Sequence, residues 1–252
     1  RSVRIMANAQ QSGLSKEFLE ILKSVGESKS KQEEDRIIIH EIGVLKTRVN
    51  QIDVTPKQMR EHLIRMIYCE MLGHEVNFAH IHAVKMTQEM SLLEKKCGYL
   101  TCQLLLHEKH ELMILLINTI QRDLKSQNWL EICTALHTVC KLISDEMVPA
   151  VLPQITALLD HNNEHVRKKS VMALHRCYLV SPEAVAEMHD IFRRALCDKD
   201  PAVMNASLCL FYDIALGNPL LLKDLVPSFV SILKQIIEHR LHRDYDYHRV
   251  PA

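Results

Sequence analysis

The chain has 252 residues, and its 31 Lys and Arg residues are balanced by 31 Asp and Glu residues. Because this balance leaves no net positive charge, and because no RNP, zinc-finger or basic-zipper pattern is present, the sequence does not point to a nucleic-acid partner. The low content of Gly (6), Pro (8) and aromatic residues (5%) disfavours a β-sandwich or barrel, because such folds need many turns. The longest unbroken apolar run, residues 112–117, is far shorter than the ~20 residues of a membrane span.

The first third of the chain carries the start and stop signals of several helices. Ser15 can cap a first helix, and a polar turn at residues 26–31 separates it from a longer helix that is predicted from about Gln32. Thr55 followed by Pro56 predicts an N-cap and the first residue of a third helix. The apolar stripe of the second helix is spaced 4-3-4-3 and consists of Ile38, Ile42, Leu45, Val49 and Ile52.

The middle of the chain continues the helical pattern. The third helix is predicted to end at Gly73, because glycine readily adopts the left-handed conformation that terminates helices. Asn77 and Ser91 are the predicted N-caps of the next two helices. Apolar stripes over residues 112–124 and 129–143 predict two more amphipathic helices. No stretch shows sustained apolar–polar alternation, so the fold is predicted to be all-α, with about a dozen helices.

The segment 148–217 contains two similar halves. Val203 follows Val166 by 37 residues, and each half has two apolar-striped segments joined by a short polar turn. The same shift pairs Leu159 with Leu196, Asn163 with Asp200, Ser170 with Ser207 and Leu174 with Phe211. A two-helix repeat of this length is typical of HEAT or armadillo proteins, in which each helical hairpin buries its apolar face against the next. The predicted fold class is therefore an all-α solenoid of HEAT/armadillo-like helical hairpin repeats.

The solenoid is predicted to occupy residues 1–242 as one domain. Its final long helix is predicted from about Pro219 to Leu241. The tail, residues 243–252, breaks the apolar periodicity, and we expect it to be irregular and cut from a longer solenoid. The apolar stripe of the final helix includes Leu222, Val226, Phe229, Leu233 and Ile236.

The sequence carries no motif of a catalytic or cofactor-binding site, such as a P-loop, GxGxxG, GxSxG or EF-hand loop. The eight cysteines form no CxxC pair and are interpreted as buried, reduced thiols of a cytosolic protein. His80 and His82 point in different directions on a helix, and the His107–His110 spacing is one residue short of the metalloprotease motif. We therefore predict no enzyme, cofactor or metal site; a His-dependent metalloenzyme is the least favoured alternative.

One compact basic cluster stands out, formed by Arg167, Lys168 and Lys169. It follows Val166 at the start of the second helix of a repeat. One interpretation is a solvated position that links neighbouring repeats. The other is a contact for an anion or an acidic partner.

Two segments carry a more specific pattern. Residues 71–85 read MLGHEVNFAHIHAVK, and residues 94–124 contain EKKCGYL followed by INTIQRDL. In this order they resemble the signature of the large adaptins: a helix ending in LG[HY], a D/N-F segment, a K-x-x-GYL helix and an N-x-I-x-x-DL segment. The match also takes in residues 14–25 and the basic cluster, so it covers nearly the whole chain. His82 and the Thr-Gln pair at residues 87–88 depart from the pattern, as expected of a divergent member.

The resemblance implies the amino-terminal trunk of a large subunit in a heterotetrameric adaptor-protein (AP) coat complex. Such a subunit scaffolds a second large adaptin, a medium subunit and a small subunit during vesicle-mediated protein transport from the trans-Golgi network. The resemblance also implies recruitment by an Arf-family small GTPase, and hence a cytoplasmic protein that is peripheral on trans-Golgi network and vesicle membranes. The residues that it marks as candidates for the GTPase contact are Leu72, His74, Val76 and Phe78. Val76 and Phe78 are equally well explained as core residues.

The alternative is a free-standing helical-repeat receptor that grips a peptide, as nuclear transport receptors do. Such a receptor would be a monomer with an acidic inner groove. The second helices of the repeats carry no dense row of Asp and Glu, which favours the adaptor interpretation.

Overall fold

The computed structural model describes residues 15–185 and 188–240, and every regular element within these residues is a helix. The prediction of an all-α fold is thereby confirmed. Short 3-10 segments at Asp145–Met147, Leu158–Asp160 and Pro219–Leu225 precede or follow some of the helices. The α-helices are α1 (Lys16–Glu27), α2 (Lys31–Arg48), α3 (Pro56–Met71), α4 (Ala79–Met86), α5 (Leu92–Leu105), α6 (Met113–Asp123), α7 (Trp129–Leu142), α8 (Val148–Ala157), α9 (Glu164–Val180), α10 (Pro182–Val185), α11 (His189–Leu196), α12 (Pro201–Gly217) and α13 (Val226–Ile237).

The chain divides into two compact units, residues 1–119 and 120–252. In the first unit, α1 packs on α2, α2 on α3, and α5 against both α3 and α4. Its core is built from the apolar stripes of these helices and includes Phe18, Ile38, Leu45, Leu63, Met66, Ala83 and Tyr99. Each helix thus buries its stripe against a neighbour in sequence, as expected of helical hairpins.

An ion-pair network with a buried centre at Arg65 and Glu41 joins the first three helices. The Arg65 side chain is almost completely buried and donates from Nε to Glu41 (2.6 Å) and from Nη1 to Glu17 (3.2 Å). Glu17 also accepts from Arg48 (2.6 Å), and this hydrogen bond is the largest cause that lowers the pKa of Glu17 to about 2. Glu17 lies on α1, Glu41 and Arg48 on α2 and Arg65 on α3, so the network fixes how these helices face one another.

Several predicted helix boundaries are confirmed. The Ser15 hydroxyl accepts the backbone N–H of Phe18 (3.2 Å) at the start of α1. Thr55 and Gln58 form a complete capping box before Pro56, and α3 ends as predicted before Gly73. These ends depend on local sequence alone, which is why the sequence predicts them.

The predicted cap at Asn77 is wrong, whereas Ser91 does occupy the N-cap position of its helix. Phe78, not Asn77, precedes the first residue of α4, and no side chain caps this helix. Ser91 does precede α5, but its hydroxyl hydrogen-bonds to the Glu94 carboxylate instead of a backbone N–H.

The predicted apolar stripes of α2 and of the final helix extend beyond the helices that the structure shows. Helix α2 ends at Arg48, so Ile52 falls beyond it and is 99% exposed. The predicted final helix is split at Val226 into a 3-10 segment and α13, where Pro227 lies at the start of the new helix and cannot donate a backbone hydrogen bond. Two residues of its stripe, Val226 and Leu233, are exposed. The predicted tail, residues 243–252, lies outside the described residues.

In the second unit, the repeat seen in the sequence has a structural counterpart. Helices α9 and α12 begin after Asn163 and Asp200, whose side chains accept the backbone N–H groups of His165 (2.9 Å) and Ala202 (2.9 Å) respectively. Val166 and Val203 are both buried, as are the pairs that follow them. Helix α9 contacts α7 on one side and α12 on the other, and α11 packs on α12. The predicted limits of a single domain, residues 1–242, stay a prediction.

Candidate partner-binding site

The turn between α3 and α4, residues 72–78, contains the four candidates for a partner contact. Helix α3 ends because Gly73 adopts a left-handed conformation with φ of +91°. The backbone N–H of Gly73 donates to the Glu70 carbonyl (2.9 Å) and that of His74 to the Cys69 carbonyl (3.2 Å). The chain therefore leaves the helix sharply and in a defined direction.

Side-chain contacts hold this turn in place. His74 Nε2 lies 3.1 Å from Asp35 Oδ1, which joins the turn to α2. The Glu70 carboxylate accepts the backbone N–H of Val76 (3.0 Å). A hydrogen bond from Lys31, assisted by His74, lowers the pKa of Asp35, so this carboxylate is held in the charged form that pairs with both groups. The turn is thus fixed from α2 and from the end of α3.

The four candidates differ in exposure. Leu72, His74 and Phe78 are half-buried, so part of each side chain is available to a partner. Val76 is 0% exposed and belongs to the core, so its side chain offers no contact surface in this structure. Met71, the last residue of α3, is 78% exposed next to Leu72. The available surface therefore includes Met71 at the end of α3 and Leu72, His74 and Phe78 in the turn, together with the exposed Glu75 and Asn77.

Two histidines from separate sequence motifs meet beside this turn. His110 Nε2 lies 3.1 Å from His80 Nδ1, while His110 Nδ1 accepts the backbone N–H of Leu112 (3.1 Å). The second contact assigns the proton of a neutral His110 to Nε2, which then donates to His80. Burial is the main cause that lowers the pKa of His80. Repulsion from His110 in its protonated form lowers this pKa further, while the Glu70 carboxylate opposes the shift.

The histidine pair borders a cavity of about 650 Å³ whose lining also includes Glu70, His107 and Glu111. Since both facing nitrogens are engaged in the hydrogen bond, the pair is not arranged as ligands of one ion. Among the described residues, no group of three or more His, Cys, Asp or Glu side chains is placed to hold a metal ion. Sequence reasoning missed the pair because only the fold brings residues 30 positions apart together.

The basic cluster at the start of α9 is divided by the structure. Arg167 is buried and forms a bidentate pair with Asp198, from Nε to Oδ2 (2.7 Å) and from Nη2 to Oδ1 (2.9 Å). Its Nη1 donates to the carbonyls of His161 (2.9 Å) and Asn162 (3.1 Å). Arg167 thus links the start of α9 to the turn before α12, but it is buried and not solvated as the first interpretation expects.

Lys168 and Lys169 differ from their neighbour. Both are half-buried, and neither forms an ion pair with any described residue. The second interpretation, an anionic or acidic partner, therefore concerns these two lysines only.

None of the helices in the described ranges is both long and apolar enough to cross a bilayer. The surfaces described above are turns and helix faces of a helical-repeat protein. The cavities beside them are lined by polar and apolar side chains of the same repeats. These features define the class: an all-α protein of stacked helical hairpins that offers contact surfaces.

The chain belongs to the family of the adaptin N-terminal region, whose model matches residues 34–246. This confirms the resemblance to the large adaptins. Among these, the motifs are most similar to the epsilon subunit of the fourth adaptor-protein complex, and the relatives agree with that type. The chain is 52% identical over 240 residues to the AP-4 complex subunit epsilon of Arabidopsis thaliana, covering 95% of this chain and 26% of that protein. It is 43% identical over 244 residues to the AP-4 complex subunit epsilon-1 of Homo sapiens, covering 97% of this chain and 22% of that protein.

A comparison with known structures supports the fold. The chain superimposes with a TM-score of 0.62 and 22% identity on a homology model of the full-length AP-3 complex in an intermediate open conformation, covering 72% of this chain and 32% of that one. This likeness confirms the helical-repeat fold. The chain spans about a quarter of the length of the curated relatives that it matches.

Proposed function

We propose that the chain is a trunk segment of the large subunit of an adaptor-protein coat complex, where it acts as a scaffold without catalytic activity. The observation that carries this proposal is the 52% identity to an AP-4 complex subunit epsilon over 95% of the chain. The fold agrees with the role, because stacked helical hairpins present extended surfaces to other proteins. No cofactor is part of the proposal.

The proposed partners are a second large adaptin, a medium subunit and a small subunit. The relatives at 43–52% identity are named as subunits of the AP-4 complex, which supports assembly with other adaptor subunits. The proposed location is the cytoplasmic face of the trans-Golgi network and its vesicles, as a peripheral protein. The complex would select proteins for vesicle-mediated transport there.

The proposed recruiting partner is an Arf-family small GTPase in its GTP-bound form, with the turn at residues 72–78 as its contact. The partly exposed Leu72, His74 and Phe78, with Met71 beside them, offer a small apolar surface with a polar edge. The hydrogen bonds of His74 and Glu70 hold this surface in one conformation, which lowers the entropic cost of binding.

This proposal is tested by capture of the full-length subunit, in its assembled complex, on an immobilised Arf-family GTPase. We expect about tenfold more capture on the form loaded with a non-hydrolysable GTP analogue than on the GDP form. A Met71→Ser/Leu72→Ser double variant should lose most of this difference, because truncation of central apolar contacts removes binding energy.

The matched control is Ile52→Ser, which changes an exposed apolar residue of the same unit outside the turn. Capture that does not depend on the nucleotide would remove the recruitment proposal. Nucleotide-dependent capture that the double variant leaves unchanged would place the contact elsewhere.

A further inference from the structure

Two histidines connect the loop between α5 and α6, residues 106–112, to helix α4. His110 of this loop places its Nε2 atom 3.1 Å from Nδ1 of His80. His80 is the second residue of α4, so the contact joins segments that are 30 positions apart in the sequence. The two rings meet edge to face, with centroids 4.8 Å apart and planes at 85°. The pair is called the histidine clasp below.

The hydrogen bonds of the clasp require both imidazoles to be neutral. His110 Nδ1 accepts the backbone N–H of Leu112 (3.1 Å), so the ring proton of His110 lies on Nε2 and is donated to His80. A second proton on His110 would place an N–H group against the Leu112 amide. A proton on His80 Nδ1 would face the Nε2–H group of His110. Either protonation therefore removes at least one of the two hydrogen bonds.

The charged and titratable groups beside the clasp come from α3, from α4 itself and from the loop. The groups that line the cavity next to the two rings are Glu70, His107 and Glu111. Helix α5 contributes Leu105, which carries no charge. His107 stands edge-on to His110, with ring centroids 5.4 Å apart, and on α4 the charge of Lys85 acts on the pKa of His82. Two carboxylates therefore attract a proton to the clasp, while the third imidazole repels one when it is itself charged.

The balance of these influences favours a neutral ring at His80. Burial is the largest cause that lowers the pKa of His80, and repulsion from His110 and His107 in their protonated forms lowers it further. The Glu70 carboxylate opposes the shift, but it also accepts the backbone N–H of Val76 (3.0 Å). The net effect keeps His80 in the form that the hydrogen bonds require.

We propose that the histidine clasp is a pH-sensitive switch that holds residues 106–112 against α4 while both imidazoles are neutral and releases this loop when they are protonated. In the released loop, each imidazole regains contact with water and is separated from the other ring, so a positive charge costs less there. The switch is independent of the proposed GTPase contact. It uses none of the side chains of Leu72, His74 and Phe78, and its test needs no GTPase.

The direction of the pH effect follows from the lowered pKa of His80. Since this pKa is lower in the closed loop than the ordinary value of 6.5, the closed form is fully stabilised above that pH. The stabilisation is lost as the pH falls from 6.5 toward the lowered pKa. Carboxyl groups ordinarily titrate at about pH 4, so a response above about pH 5.5 distinguishes the histidines from the carboxylates.

The test is hydrogen–deuterium exchange of the full-length subunit in its assembled complex, measured by mass spectrometry on peptides that contain Leu112. After correction for the intrinsic exchange rate, protection of these peptides should be about fivefold lower at about pH 5.5 than at about pH 7.5, as expected for the loss of one hydrogen bond. Peptides from α2, which lies outside the clasp, should keep their protection. Native mass spectrometry at both pH values checks that the complex stays assembled.

Three variants identify the groups responsible. His80→Ala removes the acceptor, so it should lower the protection at neutral pH to the acid level and abolish the pH response. His80→Asn keeps a side-chain oxygen close to the position of Nδ1 and should retain most of the protection at neutral pH. The matched control is His40→Ala, which removes an exposed histidine of α2 in the same unit and should leave the pH response of the loop unchanged.

Two results would overturn the proposal. One is equal corrected protection of the loop at both pH values in the unmodified protein, a comparison that decides the question even if a variant fails to fold. The other is an acid response of the same size in the His80→Ala and His40→Ala proteins, which would assign the response to groups outside the clasp.

Discussion

At the residue scale, Gly98 shows how one close approach fixes the packing of two helices. A Cβ atom at this position of α5 would lie 2.5 Å from the backbone nitrogen of Thr87 and 2.7 Å from the carbonyl carbon of Met86. These are backbone atoms at the end of α4 and cannot turn aside as a flexible side chain would. The glycine of the Gly-Tyr-Leu part of the adaptin motif is therefore required where α4 meets α5.

Gly98→Ala should destabilise the protein by about 1–3 kcal/mol through overpacking. The control is Gly43→Ala in α2, where an added Cβ meets no atom within 4 Å. This change should stabilise the helix by up to about 1 kcal/mol. Urea unfolding of both variants measures the difference, and a Gly98→Ala protein as stable as the Gly43→Ala protein would show that the two helices can move apart without cost.

Single residues also show the limit of sequence reasoning. Ser15 and Thr55 were predictable as caps because a cap involves residues three positions apart. The sequence alone does not predict the burial of Val76, because an apolar residue in a turn can face either the core or solvent. The His80–His110 hydrogen bond depends on two turns meeting in the fold, and neither local motif indicates it.

At the scale of elements, the Arg167–Asp198 pair joins the start of α9 to the turn between α11 and α12 of the next helical pair. Arg167→Ala should destabilise the protein by about 3 kcal/mol, because it leaves Asp198 and two backbone carbonyls without their donor. Arg167→Lys should restore little of this loss, since an ammonium group cannot make the bidentate contact.

Lys168→Ala provides the control for this pair, because Lys168 is adjacent and forms no ion pair with a described residue. Its effect should stay within about 0.5 kcal/mol, as is usual for surface substitutions. Chemical denaturation of the three variants gives the comparison. Equal stabilities of the Arg167→Ala and Lys168→Ala proteins would mean that the pair contributes nothing to the link between repeats.

Element types and the internal repeat were predictable, while several element ends were not. The 37-residue repeat identifies α9 and α12 because both helices begin with a capping side chain, followed in the same order by a buried valine and an apolar stripe. The division of the final helix at Val226 was missed because a proline in the first turn of a helix is compatible with a continuous apolar stripe.

At the scale of the whole molecule, the central claim is that these repeats form part of a scaffold within a larger assembly. Sequence motifs predicted the family, and the match over residues 34–246 confirms it. The motifs could not identify which surfaces meet which partners, because burial and charge pairing of individual side chains arise only from packing. The structure separates Arg167, which is used internally, from Lys168 and Lys169, which are available.

The measurement that tests this claim most directly is native mass spectrometry of the full-length protein co-expressed with a second large adaptin, a medium subunit and a small subunit. We predict an assembly with one copy of each of the four chains, because the proposed scaffold works by holding the other subunits. Recovery of the protein as a monomer beside an assembled set of the other three would contradict the claim and favour a free-standing helical-repeat receptor.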